Sequence, residues 1–226
     1  MRKMKKLCAG VLSAIAALLF AGANVFGADG LVLQRISGQL DYQPKPDENR
    51  QAIVGELLVQ PHGYAVTRAS SMAAIDLPDS SVVSIGASSR VGLGHFDRET
   101  WGSRSVMTIY DGAIHFAVKH PAGARANYTF VTPTSQVAIR GTEGIIVVRG
   151  NETIIACVHG TNNDTLVTYG RGRQMYVPIG MTVRIRGTMG TAAVMSMRRG
   201  IAGPEFDQFK AIVARNHAMR MRGLQK

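Results

Sequence analysis

Cysteine is almost absent from this chain of 226 residues, which contains two. Cys8 precedes an apolar N-terminal run, and Cys157 lies within the apolar residues 154–158. If the N-terminal run is removed, the remaining cysteine has no intramolecular partner, and we interpret Cys157 as a small buried hydrophobe. The fold must then be stabilised by its hydrophobic core, without a disulfide.

Recognisable catalytic motifs are missing as well. The chain has no Gly-x-Ser-x-Gly elbow and no glycine-rich phosphate loop ending in Gly-Lys-Ser/Thr. Its six histidines lack metal-ligand spacing, and the nearest pair, His115 and His120, has opposite parity along an extended strand. We therefore expect no catalytic residue, no metal and no cofactor. A hydrolase that uses Cys157 or a His-carboxylate pair is the weakest alternative.

Aromatic residues make up only 6% of the chain, with a single tryptophan. Nucleic-acid-binding surfaces interleave basic and aromatic side chains, whereas the basic pair Arg184 and Arg186 has no aromatic residue beside it. The net charge is +11, but the excess lies in the first six residues and in residues 198–226. We expect no nucleic-acid partner, and electrostatic contacts only near the C-terminus.

No apolar run reaches the roughly 20 residues that a membrane-spanning helix needs. The apolar residues 7–20 follow a basic cluster and precede small residues, which is the order of a secretory signal. We predict a signal peptide over residues 1–27, cleaved after Gly27 or after Ala23, with a retained signal anchor as the alternative. The mature protein is expected to be exported, either periplasmic or extracellular in a Gram-negative-type bacterium.

Short β-type runs separated by Gly, Pro, Asn or Asp occupy residues 31–185. This pattern predicts an all-β domain over residues 28–190, with loops at residues 44–50 and 94–102. It also predicts two separate strands, residues 105–110 and 113–118, on either side of Asp111-Gly112. Many short strands suit a sandwich or a twisted solenoid-like architecture, and the pattern does not choose between them.

The last segment, residues 191–226, is predicted to be basic and helical. Proline at Gly203-Pro204 can open a helix, and the acidic Glu205 and Asp207 then precede its basic residues, as the helix dipole favours. An apolar stripe at helical spacing consists of Phe206, Phe209, Ile212 and Val213. This amphipathic helix either docks on the β domain or is presented to a partner or an anionic envelope surface, and membrane contact is expected nowhere else.

The most informative stretch is residues 128–148, where two strand-like runs meet at Arg-Gly-Thr-Glu-Gly. Proline cannot donate to a sheet ladder and pushes the preceding residue toward extended backbone, so Thr132 to Thr134, around Pro133, should form a corner. Gly141 and Gly144 bracket a second sharp turn. Residues 145–148 are continuously apolar, which is typical of a strand buried on both faces.

This stretch resembles the FecR protein family, whose domains carry Val-x-Thr-Pro followed, five residues later, by a segment like Val-Arg-Gly-Thr-x-Gly-x-Val. The matching positions are Val131, Thr132, Pro133, Ile139, Arg140, Gly141, Thr142 and Gly144. Two earlier blocks follow the family's order: residues 65–85, in which Asp79-Ser-Ser replaces the family's Asp-Gly-Ser, and residues 111–118. The resemblance is strongest over residues 53–148.

The candidate site comprises the motif residues, as structural or partner-contact positions: Thr132, Pro133, Arg140, Gly141, Thr142, Glu143 and Gly144. Arg140 and Glu143 flank one turn with opposite charges. We interpret them as a local ion pair or, alternatively, as a partner contact.

The resemblance implies a non-enzymatic protein- or ligand-binding module of the cell envelope. In the family's transmembrane regulators, a cytoplasmic anti-sigma helix bundle and a membrane helix precede this domain, which reads the signaling domain of an outer-membrane transporter. We expect neither part here, so the expected partner is an envelope protein met after export. The alternative is a periplasmic sensor or co-regulator that serves TonB-type iron-transport signaling through a separate membrane protein. The sequence indicates neither the partner's identity nor the oligomeric state.

Overall fold

The computed structural model describes residues 30–59, 61–99, 102–119 and 125–197. Its regular elements within these ranges are all β-strands. The predicted signal peptide and the predicted helix after Gly203-Pro204 lie outside the described residues. In the part that is described, no helix has the length and apolar character needed to cross a membrane.

Seventeen strands follow one another along the described chain. Their bounds are β1 (Leu31–Ser37), β2 (Leu40–Gln43), β3 (Gln51–Ile53), β4 (Glu56–Val59), β5 (Tyr64–Thr67), β6 (Met72–Asp76), β7 (Val82–Ile85), β8 (Arg90–Glu99), β9 (Gly102–Ala117), β10 (Arg125–Val131), β11 (Ser135–Ile139), β12 (Glu143–Arg149), β13 (Glu152–His159), β14 (Thr165–Tyr169), β15 (Arg173–Tyr176), β16 (Met181–Arg186) and β17 (Thr191–Ser196). The all-β prediction is confirmed for these residues.

The strands form two layers, and the long strand β9 belongs to both. Layer I is antiparallel throughout, in the order β4-β1-β6-β7-β9-β12-β13-β16-β17. Layer II has the order β3-β2-β5-β8-β9-β10-β11-β14-β15 and is antiparallel except between β9 and β10. The chain passes repeatedly from one layer to the other while it advances along both. The architecture is therefore a sandwich wound in a solenoid-like manner.

One hydrophobic core fills the space between the layers. The alternating residues that point inward from both layers are almost fully buried, and burying each such Leu, Ile or Phe contributes about 1.5–3 kcal/mol. The rings of Phe116 in layer I and Phe130 in layer II lie 5.4 Å apart, centroid to centroid. Cys157 is buried in this core, in agreement with its interpretation as a small hydrophobe.

A second, smaller apolar cluster lies on the outer face of layer I. It consists of Ala113, Ile145, Val147, Ile154 and Ala156. Because Ile146 and Val148 of the same strand face the main core, β12 is buried on both faces, as its continuous apolar sequence predicts.

Two of the sequence predictions about the middle of the chain are wrong. Residues 94–99, most of the predicted loop over residues 94–102, belong to β8 and pair with β9. A Cβ on Gly94 would lie 1.8 Å from the Val106 carbonyl oxygen, and glycine permits this close approach. Asp111-Gly112 does not separate two strands either. At Gly112 φ is +92°, so this glycine allows one strand to turn from layer II into layer I.

The boundary predicted at residue 190 is also corrected. Residues 191–196 form β17, which pairs with β16 in a hairpin, and the β domain therefore extends to Ser196. The hairpin forms because the backbone N–H of Gly190 donates to the Gly187 carbonyl, 2.9 Å away, and both glycines have positive φ.

Candidate functional site

The Thr-Pro motif forms the hairpin corner between β10 and β11, as predicted. The backbone N–H of Thr132 donates to the Ser135 carbonyl over 2.8 Å, and the Thr132 hydroxyl accepts from the Ser135 N–H over 3.0 Å. Pro133 is exposed at the tip. The chain can thus turn at Pro133 because the Thr132 hydroxyl accepts a hydrogen bond from the backbone N–H of Ser135, on the other side of the turn.

A chain of buried hydroxyls ties this corner to the other layer. The Thr134 hydroxyl donates to Thr153 Oγ1 over 2.6 Å, and the Thr153 hydroxyl donates to Thr132 Oγ1 over 2.9 Å. Thr153 belongs to β13 in layer I, whereas the corner belongs to layer II. The threonines of the motif are therefore structural, because each has its hydrogen-bonding groups engaged inside the protein.

The Arg-Gly-Thr residues carry the chain from layer II to layer I. Arg140 is exposed, and its backbone N–H donates to the Asp164 carbonyl over 2.9 Å. At Gly141 φ is +118°, a conformation that glycine adopts without strain. Thr142 is buried, and its carbonyl accepts from the Val118 N–H over 3.0 Å. Of these three residues, only Arg140 presents its side chain to solvent.

The space around Gly144 is too small for any side chain. A Cβ at this position would lie 2.4 Å from the Ala156 carbonyl oxygen and 2.4 Å from Cζ of Phe116. The register between β12 and β13 shifts between Glu143 and Gly144, as in a β-bulge. Alternation along β12 places the Glu143 side chain on the outer face of layer I, with those of Ile145 and Val147.

Glu143 pairs there with a histidine that sequence reasoning did not connect with it. Its Oε1 lies 2.9 Å from Nε2 of His115, whose side chain is 1% exposed. The predicted ion pair between Arg140 and Glu143 is not among the contacts of the described residues, because the crossing separates these side chains onto different layers. Only the pairing of β12 with β9, which places Glu143 opposite Ala117, brings it close to His115.

Within the described residues, no group of three or more His, Cys, Asp or Glu residues lies close enough to hold a metal ion. The thiol of Cys157 is buried, and this burial raises its pKa and keeps it protonated.

A polar cluster around Asp79 was not predicted. Oδ2 of Asp79 accepts hydrogen bonds from the Tyr128 hydroxyl, over 2.8 Å, and from Ser103 Oγ, over 2.5 Å. Its Oδ1 accepts from the backbone N–H of Ser81 over 2.9 Å. Ser80, where the family has glycine, has φ of +67°, so this turn keeps its left-handed conformation despite the replacement.

The exposed features lie elsewhere, on layer II and at the edges. On the outer face of layer II the guanidinium of Arg90 lies 4.7 Å from the ring centroid of Tyr64 and 5.5 Å from that of Tyr110, both within cation-π range. At the edge of layer I, β17 is exposed over most of its length, and Val194 is 48% exposed. These surfaces, and not the buried motif residues, are available to a partner.

Comparison with known proteins agrees with the resemblance noted in the sequence. The model of the FecR protein family matches residues 64–161, whereas no curated protein matches significantly. Two crystal structures of a candidate anti-sigma factor from Parabacteroides distasonis ATCC 8503, at 1.65 and 2.50 Å, are similar at 14% identity and a TM-score of 0.47. The similarity covers 59% of this chain and 59% of theirs.

The matched range contains the Asp79 turn, the Thr-Pro corner, the Arg-Gly-Thr crossing and the Gly144 bulge. It begins later than the predicted range and continues through β13 to residue 161. Over residues 64–161 this chain therefore matches the FecR protein family.

Proposed function

We propose that this chain is an exported, non-enzymatic binding module of the cell envelope, which takes an extended segment of a partner protein onto the edge of β17. The observation that carries the proposal is that, among the described residues, no strand pairs with the outer edge of β17. Thr191–Ser196 pairs with β16 on one side and contains neither a charged residue nor a proline. An exposed strand of this kind offers its free backbone groups to a strand of another protein.

The other edges of the sandwich are less suited to such pairing. β3 is three residues long, and β4 and β15 carry the charged residues Glu56 and Arg173. Short edge strands and charged edge residues are the usual protection against strand addition. Among the edge strands of the described residues, β17 is thus the best candidate for a binding site.

The charge around β17 favours an acidic partner segment. Arg184 and Arg186 stand opposite Ala193 and Thr191 in the ladder, and the single carboxylate of Glu152 contacts both guanidinium groups, at 3.5 and 2.6 Å. These two positive charges and one negative charge leave an excess of one positive charge beside the edge. Complementary charge mainly increases the rate and specificity of association.

A glutamate at the centre of the edge tests this proposal. In the full-length protein Val194→Glu places a negative charge on β17 without entering the core, because Val194 is half exposed. Val54→Glu is the matched control, since Val54 is 81% exposed in the turn between β3 and β4. In crosslinking within intact envelopes we expect Val194→Glu, which repels an acidic segment, to capture about tenfold less partner, equivalent to about 1.4 kcal/mol, and Val54→Glu to behave as wild type. Equal capture by both variants would exclude the edge of β17 as the binding site. If the wild-type protein captures no envelope partner, the proposal of a binding module is excluded.

Export is tested independently of binding. The basic cluster and the apolar run at the N-terminus support a cleaved signal, so the protein recovered from the envelope fraction of a Gram-negative host should begin at Ala28 or at Asn24. Mass spectrometry of the intact protein measures this directly. A protein of full-length mass in the cytoplasm would contradict export.

The family match favours a second candidate, a periplasmic sensor or co-regulator. In this alternative the domain still serves TonB-type transport signaling, through a separate membrane protein. Genes for a sigma factor or a TonB-type transporter beside this gene, together with altered transporter expression after its deletion, would support it. A deletion strain with unchanged transporter expression would leave the binding-module proposal as the better one.

A further inference from the structure

The outer face of layer I is buried as a core is buried. The apolar cluster Ala113, Ile145, Val147, Ile154 and Ala156 lies on this face, yet its members are only 0–4% exposed. The corresponding outer row of layer II, which includes Val106, Thr129 and Ala138, is only half-buried. A sheet face without a covering element resembles the second case, and the outer face of layer I does not.

The described side chains that pack against this cluster indicate where that part comes from. Met72 and Val158 belong to layer I itself, whereas Met197 follows β17 and is the last described residue. The chain therefore leaves the described part in contact with the covered face. Residues 198–226 continue from that point.

We propose that residues 198–226 dock on the outer face of layer I through the stripe Phe206, Phe209, Ile212 and Val213. An amphipathic helix over residues 205–220 would be about 24 Å long, and a seven-residue strand such as β12 spans about 23 Å. The apolar stripe and the apolar cluster thus match in chemistry, and a helix of this length fits along β12. This inference does not depend on the proposed function, which concerns the neighbouring edge of β17.

Photo-crosslinking of the full-length protein tests the docking. Phe206, Phe209 and Val213 are replaced one at a time by p-benzoylphenylalanine, which is an aromatic apolar residue and does not disturb the β domain. Ala211, which a helix places opposite the stripe, is the matched control. Crosslinked peptides are identified by mass spectrometry, and intramolecular products are separated from intermolecular ones by size.

We expect the probe at position 209 to crosslink within its own chain to the cluster around Val147, and the probe at 211 to give at least about fivefold less of that product. Crosslinks from 209 to a second copy, to an envelope component or to another part of the chain would overturn the docking.

Discussion

The hydroxyl of Tyr128 donates a hydrogen bond to Oδ2 of Asp79 over 2.8 Å, and this bond joins the two layers of the sandwich. Asp79 lies in the turn between β6 and β7 of layer I, whereas Tyr128 lies in β10 of layer II and is fully buried. The same carboxylate also holds Ser103 of β9 and the backbone of Ser81. Asp79, the acidic residue of the turn motif, thus connects the two layers through its hydrogen bonds.

Removal of the Tyr128 hydroxyl should destabilise the protein. Tyr128→Phe leaves a partly buried carboxylate oxygen with one fewer donor, and hydrogen bonds to charged groups are worth about 1.5–3 kcal/mol. We expect a loss of this size in the free energy of unfolding, measured by urea denaturation at pH 7. Tyr176→Phe is the control, since Tyr176 is 46% exposed, and it should change stability by less than about 0.5 kcal/mol.

The same residue predicts a loss of stability at alkaline pH. Burial, and then the neighbouring Asp79 charge, raise the pKa of Tyr128 far above its ordinary value, so the folded protein keeps the hydroxyl protonated. Because the unfolded state releases this proton above about pH 10, the stabilisation is complete below that pH and falls as pH rises through and above it. Denaturation curves at pH 8 and at pH 10.5 should show a smaller decrease for Tyr128→Phe than for wild type. Equal decreases in the free energy of unfolding would show that Tyr128 does not contribute to the loss of stability at alkaline pH.

Local features of the fold could be predicted from the sequence because their causes are local. The corner at Pro133 follows from the missing N–H of proline, and the double burial of β12 follows from its continuous apolar run. Gly112 shows the limit of such reasoning. Glycine and aspartate together are typical of a turn, but here the positive φ of Gly112 serves to bend one strand between layers.

The contacts of the candidate site could not be predicted, because they depend on strand register. Glu143 and Arg140 are close in sequence, but the chain changes layers between them. Glu143 instead meets His115, 28 positions away, and Asp79 meets Tyr128, 49 positions away. Most of the motif residues lie where the chain turns or crosses from one layer to the other.

Gly144→Ala should be strongly destabilising. The added Cβ would overlap the Ala156 carbonyl and the Phe116 ring, and neither the backbone of β13 nor a fully buried ring can move away cheaply. Overpacking of this kind costs about 1–3 kcal/mol. Gly55→Ala is the control, since nothing lies within 4 Å of its Cβ position, and it should be neutral. Thermal unfolding of the two variants measures the difference, and equal midpoints would contradict the tight fit.

Thr132→Val separates a structural role of the Thr-Pro motif from a role in partner contact. The variant keeps the shape of the side chain but leaves the Ser135 N–H and the Thr153 hydroxyl without their acceptor, which should cost about 1–3 kcal/mol of unfolding free energy. Pro133→Ala, at the exposed tip, should cost less than about 1 kcal/mol. Partner capture by the folded fraction of Thr132→Val should equal that of wild type, because the hydroxyl is buried. A variant of wild-type stability with reduced capture would instead assign Thr132 to the binding surface.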